Sequence, residues 1–157
     1  MRILRSDWHF ISAASLIFFS SLFVTLWDFT QVQNIPCGGV VSVVGLILFA
    51  TGVGLRIATK RTLGKSYTYT LKPGHTRILV THSMYQVVRH PIYLAMILYT
   101  IAIPLIFSSL IGLLLMLGLI PCILYRIGIE EKMLLKEFGD QYKEYITTTK
   151  KLIPFIY

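Results

Sequence analysis

The chain is poor in negative charge, and the distribution of that shortage is more informative than its size. Seven Asp and Glu stand against 15 Lys and Arg, for a net charge of +8, and no acidic residue occurs between Asp28 and Glu130. Cysteine is also scarce. Cys37 and Cys122 each lie in an apolar stretch without a CxxC partner. They read as small buried hydrophobes, and neither a redox pair nor a metal site is expected. No glycine-rich GxGxxG follows a strand pattern, which excludes a Rossmann unit, so any nucleotide must be held in another way. Charge of either sign is missing from 10–27, 34–55 and 92–125. At 55% hydrophobic residues and a mean hydropathy of +0.69, the chain is too apolar for an ordinary soluble domain.

A hydrocarbon core about 30 Å thick needs about 20 apolar helical residues, because backbone polar groups there must be satisfied within the segment. The first two uncharged stretches each fit one span. The third, at 34 residues, is too long for one and suits two short helices in a hairpin, with Pro104, Ser108 and Ser109 as the turn. The expected fold is therefore all-α and polytopic. It has about four transmembrane helices, the last two a hairpin, a cytoplasmic connector and an amphipathic C-terminal helix. Arg2 and Arg5 before an apolar run mimic a signal peptide. However, 18 uncharged residues is long for one, and Leu26-Trp27-Asp28 is not a small-residue cleavage site.

The basic residues sort to one side. Arg2 and Arg5 precede the first span, Arg56 to Arg89 lie between the second and third, and Arg126 to Lys151 follow the fourth. The positive-inside rule makes that side cytoplasmic, with both termini there. No nucleic-acid motif accompanies the positive charge, so none is expected as a partner.

The chain reads as a single membrane domain, with two N-terminal spans in 1–58 and a cofactor-binding catalytic region in 59–157. The connector 59–90 is long for a plain link. Its Tyr67, Tyr69, Ile78, Leu79, Val80, Tyr85, Val87 and Val88 point to a folded segment, with Lys72-Pro73-Gly74 marking a turn. Residues 130–147 read as a surface helix, with Leu134, Phe138, Tyr142, Tyr145 and Ile146 on one face. Gly139 inside it costs about 1 kcal/mol.

Two places carry candidate chemistry. Arg89-His90-Pro91-Ile92-Tyr93 opens the third span. Pro91 suits the first helical position, which puts His90 at the cap and Tyr93 on the first turn. A helix N-terminus beside an arginine is also a ready anion site. Arg126 and Glu130 are four apart and share a helix face where the fourth span ends. One end offers a place for a carboxylate and the other, through Glu130, for an amino group. Tyr85, Tyr93 and Tyr142 offer aromatic faces to a cation. The residues by themselves describe an amphipathic cofactor pocket at a membrane interface.

At these positions the sequence resembles the isoprenylcysteine carboxyl methyltransferase and phospholipid methyltransferase superfamily of membrane enzymes. The resemblance runs from about Leu63 to Pro154. It rests on Leu79-Val80-Thr81 leading to Tyr85, on Arg89-His90-Pro91-Ile92-Tyr93, and on Glu130-Glu131 leading to Phe138-Gly139, Tyr142, Tyr145 and Ile153-Pro154. It implies S-adenosylmethionine as cofactor. The implied contacts are Arg77, Ile78, Leu79, Val80, Tyr85, Arg89, His90, Pro91, Ile92, Tyr93 and Glu130, with an upstream contact at Thr70 and no metal. It implies that Arg126 positions the acceptor and acts in catalysis. The implied acceptor is lipid-borne and met in the bilayer, foremost the carboxylate of an isoprenylcysteine-like substrate, with a phospholipid amine or a thiol as the alternative. Ser83 stands where the family usually has glycine, and Arg77 where it often has histidine. A small four-span multidrug exporter is the competing class. It would need a carboxylate inside a span, and the spans offer only Asp28 at an edge.

Overall fold

The computed structural model describes residues 2–31, 39–63 and 79–153, with side chains of the first helix described from Ser12 onward. Its helices are α1 (Arg2–Gln31), α2 (Val40–Leu63), α3 (Pro91–Ile106), α4 (Leu110–Leu117), α5 (Leu119–Phe138) and α6 (Asp140–Thr148). Among the described residues, three segments are long and apolar enough to cross a membrane: Ser12–Gln31, Val40–Leu63 and Leu110–Phe138. The fourth apolar helix, α3, has 16 residues and so rises only about 24 Å. Leu16, Phe19, Phe23, Trp27, Val40, Ile47 and Leu114 turn their side chains outward. An apolar exterior of that extent suits lipid rather than water. The chain is an integral membrane protein.

The helix boundaries refine the expected ones. α1 runs past Trp27 to Gln31, and α2 starts at Val40 and ends at Leu63, later than the expected second span. Pro104 lies inside α3 rather than in the turn. The reversal falls at Phe107, Ser108 and Ser109, where the Ser108 amide donates to the Leu105 carbonyl (3.0 Å) and that of Ser109 to Pro104 (2.9 Å). A proline removes one helical donor, which a membrane helix tolerates when neighbours satisfy the freed carbonyl. Ser108, at φ +54, supplies the left-handed residue that closes the helix. Pro121, near the start of α5, cannot donate to the carbonyl four residues back, so the apolar segment breaks at Gly118 between α4 and α5.

The described chain divides into two compact units. The first comprises Met1–Thr51 and Ile97–Tyr125. In it α1 packs on α4, and Gly112 lies so close to Thr25 that a Cβ would strike its hydroxyl. A Cβ on Gly45 would come within 2.6 Å of the Ile106 nitrogen and 2.9 Å of the Leu105 carbonyl carbon. Glycine is what allows the α2 backbone this near to α3. Hydroxyls complete the packing: Ser42 and Ser108 share a hydrogen bond of 3.0 Å, and Ser109 donates to the buried carboxyl of Asp28 at 2.5 Å.

The second unit comprises Gly52–Met96 and Arg126–Tyr157. The expected surface helix over 130–147 is two pieces here. α5 continues through Glu130 to Phe138, Gly139 turns the chain at φ +53, and α6 begins at Asp140. Glycine takes that φ without the clash a Cβ would bring. Of the apolar face read from the sequence, Tyr142 and Tyr145 are buried and Ile146 is exposed. Beyond α6 the chain runs beside the segment before α3. Val88 and Lys150 form a parallel bridge, and the amides of Arg89 and His90 donate to the carbonyls of Lys150 (2.7 Å) and Lys151 (3.1 Å).

Candidate cofactor and acceptor site

Every sequence-named site residue that the structure describes lies in the second unit. Arg77, Ile78 and Thr70 fall outside the described residues. Leu79 and Val80 are half-buried and lead into a short 3-10 turn, Ser83–Gln86, that carries Tyr85. Ser83, at the position where the family usually has glycine, holds φ +60. A serine here takes the left-handed backbone conformation that glycine adopts freely, and carries its strain. The Tyr85 carbonyl accepts a 2.6 Å hydrogen bond from the Tyr145 hydroxyl on α6. Burial pushes the Tyr145 phenol up to about 12 against the opposing pull of Arg89, so it stays a donor at neutral pH.

Pro91 is the first residue of α3, as the sequence predicts, and His90 stands just before it with its carbonyl accepting from the Leu94 amide (3.1 Å). The His90 ring is buried and meets Tyr93 edge-on, with centroids 5.8 Å apart. Ile92 is half-buried beside them. The Tyr93 hydroxyl donates to Glu130 Oε2 at 2.6 Å, and Arg126 also lies within its hydrogen-bonding reach. The two candidate places in the sequence, the opening of the third span and the boundary of the fourth, are therefore one place. Tyr93 joins them.

Arg89 is engaged within the protein. Its Nε donates to Glu131 Oε1 (3.1 Å), and its Nη1 donates to the carbonyls of Ile146 (3.2 Å) and Thr149 (2.5 Å). A guanidinium so engaged caps the end of α6. Glu131, part of the quoted motif but given no role there, gathers two cationic side chains and a histidine. Besides Arg89 it faces Lys151 Nζ at 3.1 Å and His90 Nε2 at 3.4 Å, the last an ion pair when the ring is protonated. The signal was present as a second carboxylate beside Glu130, but helix spacing alone gave Glu131 no partner.

A groove of about 360 Å³ opens beside this network, lined by Leu79, Thr81, Gln141, Glu144, Tyr145 and Thr148. Leu79 belongs to the sequence-named set, while the α6 residues had not been singled out as site residues apart from Tyr145's place in the motif. A cavity of this size lies in the range that holds small molecules.

The family model for phospholipid methyltransferases matches residues 40–141. This chain belongs to the phospholipid methyltransferase family. The matched span takes in α2 through the start of α6, and so Tyr85, Arg89, His90, Tyr93, Arg126, Glu130 and Glu131. The chain is similar to the Arabidopsis thaliana protein-S-isoprenylcysteine O-methyltransferase A, at 29% identity over 119 residues, which is 74% of this chain and 60% of that protein. It is equally similar to a probable protein-S-isoprenylcysteine O-methyltransferase of Oryza sativa subsp. indica, 29% identical over 119 residues and 62% of that protein. Among solved structures it is similar to the eukaryotic intramembrane Ras methyltransferase (isoprenylcysteine carboxyl methyltransferase) without a monobody. There the TM-score is 0.72 at 28% identity, covering 93% of this chain and 52% of that one. The family member described here thus spans about 60% of the length of the curated relatives it matches, and about half of the solved one.

Proposed function

We propose that the protein is an S-adenosylmethionine-dependent methyltransferase that methylates a lipid-borne acceptor, foremost the carboxylate of an isoprenylcysteine-like substrate. The observation that carries the reading is Tyr93, whose hydroxyl links the α3 start to Glu130 and Arg126. It sets one acid and one base side by side, with aromatic rings around them. The chemistry of that set fits the donor: Glu130 suits an ammonium, the edge of α3 and the basic groups suit a carboxylate, and the Tyr93 and Tyr85 rings suit a sulfonium. Leu79, Val80, His90, Pro91 and Ile92 would supply apolar and backbone contacts, with Arg77 and Ile78 named by the family pattern. Arg89 holds the scaffold behind them. Bound there, S-adenosylmethionine supplies an activated methyl group on sulfur.

The residues of this chain then have modest work to do. A carboxylate acceptor, with an unperturbed pKa near ~4, is already ionised at neutral pH and needs no general base. Arg126 orients it, and the surrounding apolar helices exclude water. An amine acceptor, which the family's phospholipid name favours, would have to lose a proton, and His90 or Tyr93 stands nearest to assist. The basic residues sit on the cytoplasmic side under this reading, with both termini there.

Labelled methyl transfer from S-adenosylmethionine into N-acetyl-S-farnesylcysteine, phosphatidylethanolamine and a small thiol, run in parallel, tests the acceptor. Base-labile label in the farnesylcysteine arm is the expected outcome. Base-stable label in the lipid arm would transfer the assignment to an amine. Calorimetry tests the residues. Glu130→Gln is expected to weaken S-adenosylhomocysteine binding about tenfold or more, the scale of one lost charge-assisted hydrogen bond. Arg126→Ala is expected to spare that binding and lower turnover. Equal affinity of wild type and Glu130→Gln would remove Glu130 from the site.

A further inference from the structure

Two tyrosines three residues apart on α6 are both buried, and they are not equally satisfied. Tyr145 donates its hydroxyl to the Tyr85 carbonyl. Tyr142 is 1% exposed and among the largest fully buried side chains, yet its hydroxyl finds no hydrogen-bond partner among the described residues. Burying an unmatched hydroxyl costs about 1–3 kcal/mol, so a native chain rarely keeps one where phenylalanine would serve. The groups in electrostatic reach of Tyr142 are Glu131, Arg89, Tyr145 and Glu130. The orphan hydroxyl thus lies in the field of the same residues that frame the proposed donor site.

The phenol is a donor. Burial first, and then the negative field of Glu131, hold its pKa above the ordinary tyrosine range, so it keeps its proton at any working pH. Its missing partner is therefore an acceptor. Across the site as a whole, Arg89 and Lys151 pair with Glu131, and Arg126 joins Glu130 at the Tyr93 hydroxyl, three fixed cations against two anions, a balance that admits one further negative group. We infer that the Tyr142 hydroxyl is a ligand-contacting group that donates a hydrogen bond to the carboxylate at the amino-acid end of the methyl donor. The inference rests on the methyltransferase reading and adds to it a contact from α6.

The test uses the full-length protein in detergent, as wild type and as Tyr142→Phe. Binding of S-adenosylhomocysteine and of 5′-methylthioadenosine, which lacks the amino-acid end, is measured by calorimetry, and thermal unfolding is followed without ligand. Tyr142→Phe is expected to melt at the same temperature or higher, because an unmatched polar group is gone. It should bind S-adenosylhomocysteine about tenfold more weakly and 5′-methylthioadenosine as well as wild type does. Tyr145→Phe serves as the stability control and should melt lower, having lost a bond that was made. A Tyr142→Phe chain that melts lower or fails to fold overturns the inference, since the hydroxyl would then have a structural partner. Unchanged affinity for S-adenosylhomocysteine also overturns it, and equal weakening of both ligands moves the contact to the nucleoside. If the wild type binds neither ligand, it is the methyl-donor reading that fails, and Tyr142 falls with it.

Discussion

In the unit built from Met1–Thr51 and Ile97–Tyr125, helices meet through glycines and hydroxyls; in the unit built from Gly52–Met96 and Arg126–Tyr157, they meet through a carboxylate, two cationic side chains and a histidine. The first solution is what lipid demands. Apolar side chains gain little by leaving lipid for each other, so close backbone approach and short hydroxyl bonds must do the joining. Even the buried carboxyl of Asp28 is held by a serine hydroxyl. The second unit contains the charged boundaries of the apolar stretches and uses them. Glu131 ties α5 to the start of α3 and to the segment after α6, three pieces that helical packing alone would leave independent. A scaffold joined by shape tolerates no added volume, and a site joined by charge tolerates no lost charge.

That contrast can be broken in three ways, the largest first. Glu131→Ala leaves Arg89, His90 and Lys151 without their shared anion. The Arg89 and Glu131 side chains are 9% and 17% exposed, so the loss is expected to be about 3 kcal/mol, the lower end for breaking a buried pair. Unfolding in detergent measures it, and hydrogen exchange should rise in α6 while α1 and α4 stay protected. A loss no greater than that of an exposed ion pair would show that charge does not hold this unit. Gly45→Val drives a side chain into the backbone of α3, which cannot give way as a flexible side chain can. It should lower stability by about 2 kcal/mol while leaving S-adenosylhomocysteine affinity in the folded fraction unchanged. An unperturbed melting curve would mean that α2 and α3 do not approach as closely as Gly45 permits. The smallest effect has the opposite sign. Ser83→Gly removes a side chain from φ +60 at the cost of a long 3.3 Å bond from Thr62, and is expected to raise stability by about 1 kcal/mol. A decrease would show that the Thr62 contact outweighs the strain.

Much of the site was legible because its parts are local. Pro91 as a helix start, His90 before it and Tyr93 on the first turn follow from rules about single turns of helix, whereas Gly139, read as a cost inside one helix, in fact ends it. What could not be read were partners across long separations. Spacing of i, i+4 pointed Glu130 at Arg126, but its hydroxyl donor is Tyr93, 37 positions away. Arg89 looked like an anion site from its place beside a helix N-terminus, and it caps the end of α6, about 60 positions on. The hairpin turn fell three to five residues past Pro104, because a membrane helix absorbs a proline that would end one in water.

Composition and order along the chain by themselves decided that this is a helical membrane protein, that its charges cluster between uncharged stretches, and that a histidine and a tyrosine would sit at the start of a helix. These follow from the cost of bare backbone in hydrocarbon and from residue-by-residue preference at helix termini, neither of which needs knowledge of neighbours. The tertiary structure alone decided which of those groups face one another, which arginine caps α6 and which lies at Tyr93, and that one tyrosine hydroxyl is buried without a mate among the described residues. Those outcomes depend on where separate helices come to rest against each other. No local preference encodes that, because many pairings satisfy every turn of helix equally well.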